Sequence, residues 1–172
     1  ATLVCPKRAG TQSHAHPNTL ANMGSSWTQN YYHAVYATKL RTSWIDAEVE
    51  QRLHPFLAGI AKDLNCTPIA VNGMTEHAHV LVRFPSDLAV ADLLRHLKAR
   101  SSKWIHQTFP ALREFGWQEG YGGFTVSKTS VDEVEQYIRK QKEHHKAMSF
   151  EGEYIAMLRK TGWEGSPEDA FH

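Results

Sequence analysis

Two histidines one residue apart, His77-Ala78-His79, lie in an alternating apolar run, and far downstream Tyr137 and Gln141 stand four residues apart. Successive strand side chains point to opposite faces, so histidines at i and i+2 project from one side of a sheet and can share a cation. Residues four apart on a helix are neighbours, which lets Gln141 reach that cation while Tyr137 aims its phenolic oxygen beside it. The set outlines metal-assisted chemistry with a tyrosine nucleophile. A phenol has a reference pKa near ~10, so attack on a phosphodiester at neutral pH needs a nearby cation or base. The same cation can polarise the phosphate. Two imidazoles and an amide oxygen would accept several divalent ions, and Mg²⁺ or Mn²⁺ there would keep positions open for phosphate oxygens and water.

Each piece has an ordinary alternative. A second His14-Ala15-His16 stands in a polar, aperiodic stretch, so the tripeptide alone proves little. A half-buried strand with two satisfied polar residues explains His77 and His79 equally well by spacing. Tyr137 lies at the edge of the stripe Val131, Val134 and Ile138, where a tyrosine can keep its hydroxyl in water. Glu76, His144 and His145 are alternative ligands or bases, and the two adjacent histidines near a helix end suit the negative end of its dipole better. Arg95, His96, Lys98, Arg100, Ser101, Ser102 and Lys103 mix positive charge with hydroxyls, the set expected to contact phosphate. Lys39 and Arg41, with Arg139, Lys140, Lys142 and Lys146 around the tyrosine, add to it.

The elements that must position these groups follow from periodicity. Residues 31–39 are aromatic and β-branched and read as a first strand. A helix follows through Val49, Leu53, Phe56, Leu57, Ile60 and Leu64, capped by Asp46 and kinked at Pro55. Residues 67–72 make a second strand, and Asn72-Gly73 is the preferred tight turn into a third at 77–84. Val90, Leu93, Leu94, Leu97, Trp104 and Ile105 mark a helix over about 88–107. Phe124-Thr125-Val126 reads as a fourth strand whose glycines, Gly122 and Gly123, permit close backbone approach. Ser130 to Glu133 fits a capping box for a helix carrying both Tyr137 and Gln141. Ser149 starts a last helix, ended near Gly162, before an irregular end. The order β-α-β-β-α-β is the ferredoxin-like, split βαβ pattern of an α+β fold, an antiparallel sheet with helices on one face.

The chain has 172 residues, enough for one domain with a real core. Residues 1–22 read as a flexible tail, with Met23 a possible original start, 23–148 as the domain, and 149–172 as a C-terminal helix and tail. No stretch approaches the length of a spanning helix, and only Cys5 and Cys66 are present, so a reducing cytoplasm fits and a cysteine zinc site is excluded. Nineteen Lys and Arg against eighteen Asp and Glu do not announce a nucleic-acid binder, so that case rests on local patches.

At this point the chain resembles the single-tyrosine HUH transposases of the insertion-sequence 200-like family, relatives of the REP-associated tyrosine transposases. The resemblance runs from about residue 23 to 146. It rests on residues 32–39, on Glu76-His77-Ala78-His79-Val80-Leu81-Val82, on Lys98-Ala99-Arg100-Ser101-Ser102 and on Tyr137-Ile138-Arg139-Lys140-Gln141. It implies that His77, His79 and Gln141 bind a divalent cation, Mg²⁺ or Mn²⁺, and that Tyr137 attacks a DNA phosphate, giving a 5′-phosphotyrosine link and a free 3′-OH. It also implies a homodimer acting on single-stranded DNA with hairpins near element ends, the tyrosine helix often serving the partner's histidines. The competing reading is a non-catalytic nucleic-acid-binding module on the same sheet, using Tyr32, Tyr36 and the basic helix. A third is a small hydrolase whose metal activates water.

Overall fold

The computed structural model describes residues 27–171, so the expected tail, Met23 and His14-Ala15-His16 lie outside the described residues. Four strands, β1 (Asn30–Ala37), β2 (Thr67–Met74), β3 (His77–Phe84) and β4 (Gly122–Val126), form one antiparallel sheet in the order β2-β3-β1-β4. With α1 (Ala47–Asp63) between β1 and β2 and α2 (Val90–Thr108) between β3 and β4, this is the expected ferredoxin-like α+β arrangement.

The sheet's alternation separates two environments. Ala34, Tyr36, Ala78, Val80 and Val82 face α1 and α2 and pack with Leu53, Leu57, Leu93, Leu94 and Leu97 into the main core. The other side carries Tyr31, Val35, Ala37 and Leu81, covered by α3 (Val131–Arg139) and α5 (Phe150–Lys160), with α4 (Gln141–His144) between them. Helices therefore cover both faces, not one. The reason is that β1 and β3 are buried along almost their whole length, on odd and even positions alike, so neither face can be left to water.

Several local expectations hold. Asp46 caps α1, its carboxylate accepting from Val49 N at 2.9 Å, whereas the kink expected at Pro55 does not interrupt α1, which stays one helix from Ala47 to Asp63. Ser149 caps α5 by accepting from Gly152 N at 3.3 Å, and Gly162, at φ 86°, follows its end. A short 3-10 turn, Pro167–Phe171, replaces the irregular end.

Others are corrected. β1 stops at Ala37, and Lys39–Arg41 forms a 3-10 turn with Leu40 and Arg41 at positive φ. The hairpin turns at Thr75-Glu76, because Gly73 remains in the ladder opposite Ala78. A Cβ on Gly73 would collide with the His77 carbonyl oxygen, so this glycine serves close strand approach. Asn72 is thereby placed opposite His79, and its amide donates to the carbonyls of Ile138 at 2.8 Å and Arg139 at 3.2 Å, closing the end of α3. The capping box does not form. Ser130 has near-helical φ/ψ and its hydroxyl sits 2.9 Å from that of Ser127, because a 3-10 turn, Lys128–Ser130, already leads into α3.

Candidate active site

β3 delivers His77 and His79 side by side on the face under α5, both with 0% exposure. Each imidazole is held from behind. His77 Nδ1 lies 3.2 Å from Glu76 Oε1, and His79 Nδ1 lies 2.9 Å from Nε2 of His33 on β1. The His33 and His79 rings stack with centroids 5.2 Å apart. Those contacts leave each Nε2 facing inward, and neither His77 Nε2 nor His79 Nε2 has a hydrogen-bond partner. Orphaned, fully buried ring nitrogens are costly unless something else satisfies them.

Both point toward one carboxylate. Glu153, on α5 and 2% exposed, has Oε2 at 3.8 Å from His77 Nε2, 3.6 Å from His79 Nε2 and 2.9 Å from His145 Nε2. Its Oε1 accepts from the Tyr137 hydroxyl and, at 2.8 Å, from Gln141 Nε2. His144 Nε2 is 3.9 Å from the same oxygen. Tyr137 and Gln141 do not share the single helix that their spacing predicts: α3 ends at Arg139, and Gln141 opens α4. The break still brings both side chains to Glu153, and it leaves Gln141 Oε1 buried without a partner.

The electrostatics follow the crowding. Burial, then the neighbouring His79 charge, holds His33 down at about 3, and burial holds His79 at about 4, so both rings stay neutral and able to ligate. The hydrogen bond from His77 holds Glu76 at about 2. Burial alone would raise the Glu153 carboxyl, but the nearby His79 ring and hydrogen bonds from Tyr137 and Gln141 hold it well below the usual carboxylate range. Burial, followed by the hydrogen bond and charge of Glu153, pushes the Tyr137 phenol well above its ordinary value.

The donor set fits a divalent cation. His77, His79 and Glu153 offer ligand atoms within 4.8 Å of one another, and Gln141, whose Nε2 bonds Glu153, carries a buried amide oxygen with no partner. Glu76 supports His77 from behind in this arrangement, and His144 and His145 turn toward Glu153 in place of acting only on a helix dipole. Two members were missed in the sequence. Glu153 is a carboxylate inside the apolar stripe Phe150, Tyr154, Met157, and that misplacement was its signal. His33 alternates with Tyr31 and Val35 on the covered face, but only the β1–β3 register shows that it meets His79.

The basic residues divide. α2 packs on the opposite face, so Arg95, Lys98, Arg100 and Lys103 are separated from the histidines by the sheet. Arg95 pairs with Asp92 at 2.7 Å, Arg100 with Asp63 at 2.5 Å, and Lys98 donates to the carbonyls of Glu119 and Gly120. Ser101 is corrected: it is fully buried, donating to Leu97 O at 2.6 Å and accepting from Trp117 Nε1 at 2.8 Å, because α2 turns that position toward the core. Nearer the site, Arg41 bonds Glu151 of α5 at 2.9 Å, which places the Lys39–Arg41 turn beside α5, and Lys140 is exposed at the break after α3.

Comparisons with known proteins bear on the family and the fold. Residues 26–141 match the family model described as "Transposase IS200 like". The chain is 28% identical over 115 residues to the ISDra2 transposase TnpA of Deinococcus radiodurans, covering 64% of this chain and 82% of that one. A solved Deinococcus radiodurans protein described as a transposase superposes with a TM-score of 0.57 at 26% identity, covering 70% of this chain and 97% of its own. A REP-associated tyrosine transposase solved bound to a REP hairpin shares the fold, with a TM-score of 0.54 at 15% identity over 73% of this chain and 74% of its own. Among the described residues no helix is long and apolar enough to cross a membrane. With more than half its length matched by that model, the chain belongs to the IS200-like transposase family.

Proposed function

We propose that this protein cleaves and rejoins single-stranded DNA through a 5′-phosphotyrosine intermediate formed on Tyr137, with Mg²⁺ or Mn²⁺ held by His77, His79, Glu153 and Gln141. One observation carries this reading: two orphaned, buried imidazole nitrogens face one carboxylate that also accepts from the Tyr137 hydroxyl and the Gln141 amide, whose own oxygen is buried without a partner. A cation bound there supplies Lewis-acid polarisation of the scissile phosphate and makes the phenol easier to deprotonate. That help matters because the phenol's proton is otherwise held tightly.

The residues divide the work. Oε2 of Glu153 faces the imidazoles, while Oε1 accepts the Tyr137 proton as the phenolic oxygen bonds to phosphorus. The bond from phosphorus to the 3′ oxygen breaks, and that oxygen takes a proton from solvent to leave a 3′-OH. The tyrosyl ester conserves the energy of the cleaved phosphodiester, so rejoining needs no nucleotide cofactor. Arg41, bonded to Glu151 of α5, and Lys140, exposed after α3, would guide the strand together with Lys39, and a homodimer handling hairpin-bearing ends completes the proposal. Within one chain, Tyr137 already reaches the histidines of its own sheet.

The test is a denaturing gel after incubating the protein with Mn²⁺ or Mg²⁺ and single-stranded hairpin DNA from the flanks of its own gene. A metal-dependent covalent adduct that Tyr137→Phe reduces by more than about 10³-fold is expected. Hairpin binding with no adduct across several flanks would instead identify a non-catalytic module.

A further inference from the structure

The metal-site side chains are sealed: His77, His79 and Gln141 have 0% exposure and Glu153 2%. A phosphate can meet the Tyr137 hydroxyl only through an opening, and a cleft of about 490 Å³ between β4, α3 and α5 reaches Tyr137, His33 and Glu153 at its inner end. Its walls are apolar, with Phe124 and Val126 from β4 facing Met157 from α5 and Val134 from α3. Ser127, Ser130 and Lys160 also line the cleft, with Glu133 an acidic residue on its wall besides Glu153 at the inner end. Phe124 packs 6.0 Å from the His33 ring, so an aromatic surface runs from the cleft wall to the histidines. The α5 wall lies beyond residues 26–141, outside the segment matched to the family model.

We propose that this cleft is a nucleotide subsite, holding the single unpaired base of the nucleotide whose 5′-phosphate Tyr137 captures. This rests on the phosphotyrosine reading and adds to it which nucleotide the protein grips and with which residues. The volume lies within the range of ligand pockets, and apolar walls with one aromatic face and a few polar groups suit a base, which has π-faces and a polar edge. Charge favours the same orientation. Glu133 on the wall disfavours a phosphate beside it but can accept from an exocyclic amine, while Lys160 offers a cation to a neighbouring phosphate. A base held here keeps the captured end in place while the other strand end departs.

The experiment is a double-mutant cycle on adduct formation. Full-length protein with Mn²⁺ is given its hairpin substrate, with the base removed in turn on the 3′ and the 5′ side of the mapped cleavage position. Removing the base on the 3′ side should slow wild-type adduct formation about tenfold. It should cost little further in Phe124→Leu, which keeps an apolar wall but loses the aromatic face. Met157→Ala, on the opposite wall, repeats the cycle if Phe124→Leu disturbs β4. Equal losses in wild type and both variants, or a loss only on the 5′ side, overturn the subsite and leave the transposase reading intact. No wild-type adduct on any substrate overturns the transposase reading, and the subsite with it.

Discussion

The two faces of the sheet differ in what they are made of and in what disturbs them. Under α1 and α2, strand positions are Ala, Val and Tyr, packed against leucines with no exposure. Under α3 and α5, alternate positions of the same strands carry His33, His77 and His79, and the covering helix contributes a buried glutamate. One face is held by close packing of apolar groups, whose cost of disruption scales with the cavity left. The other adds to its smaller apolar clusters a buried polar network, three of whose atoms have no protein partner. Strands shared by both allow the apolar face to keep the polar one rigid, a condition for metal ligands held in productive geometry.

The largest expected effect separates the faces. Leu97→Ala, in the apolar face, should lower unfolding free energy by roughly 2–5 kcal/mol, measured by urea denaturation. Mn²⁺ affinity, measured by calorimetry below the transition, should stay within about twofold. A matching loss of affinity would show that the faces are not separable.

Next comes the support behind His79. His33→Ala should weaken Mn²⁺ binding about 10- to 100-fold by freeing the ring that His33 orients, and His33→Gln, which keeps an acceptor, should recover part of it. An unchanged affinity in both variants would reduce His33 to packing.

Acid should act mainly on the polar face. His33 and His79 have folded pKa values of about 3 and about 4, below the ordinary 6.5, so the unfolded chain binds more protons between these limits. Their contribution is therefore present above pH ~6.5 and is lost as pH falls, by about 1 kcal/mol per group and pH unit. His54, also lowered by burial, adds in the same direction. The depressed Glu153 carboxyl gives way only below the ordinary carboxylate range, outside a titration from pH 6.5 to 5. Metal-free protein should lose stability over that span, and His33→Gln should show a shallower slope.

The smallest effects test local structure common to neither face. Asp46→Ala removes a formed cap and should cost about 1 kcal/mol, whereas Ser130→Ala should change stability by less than about 0.5 kcal/mol, because its hydroxyl caps nothing. Thermal melts of the two variants suffice.

Much of this could be read from residue order. The alternation of β3 put His77 and His79 on one face, the three-and-four spacing of Val49 to Ile60 and of Leu93 to Ile105 marked α1 and α2, and the element order specified a ferredoxin-like sheet. Those are properties of a single element or of connectivity, and a period of 2 or 3.6 is written in the chain itself. Where local rules competed with packing, they failed. Asn72-Gly73 has the chemistry of a turn but lies in a ladder, and Tyr137 and Gln141 have helical spacing but fall on two helices.

The tertiary structure alone decided which groups meet. His33 touches His79 because β1 and β3 pair in one register, and Glu153 reaches the histidines because Phe150 and Tyr154 seat α5 against Val35 and Ala37. Contacts between elements far apart in the chain depend on register and docking. These are set by how whole faces pack, and no residue's own type encodes them.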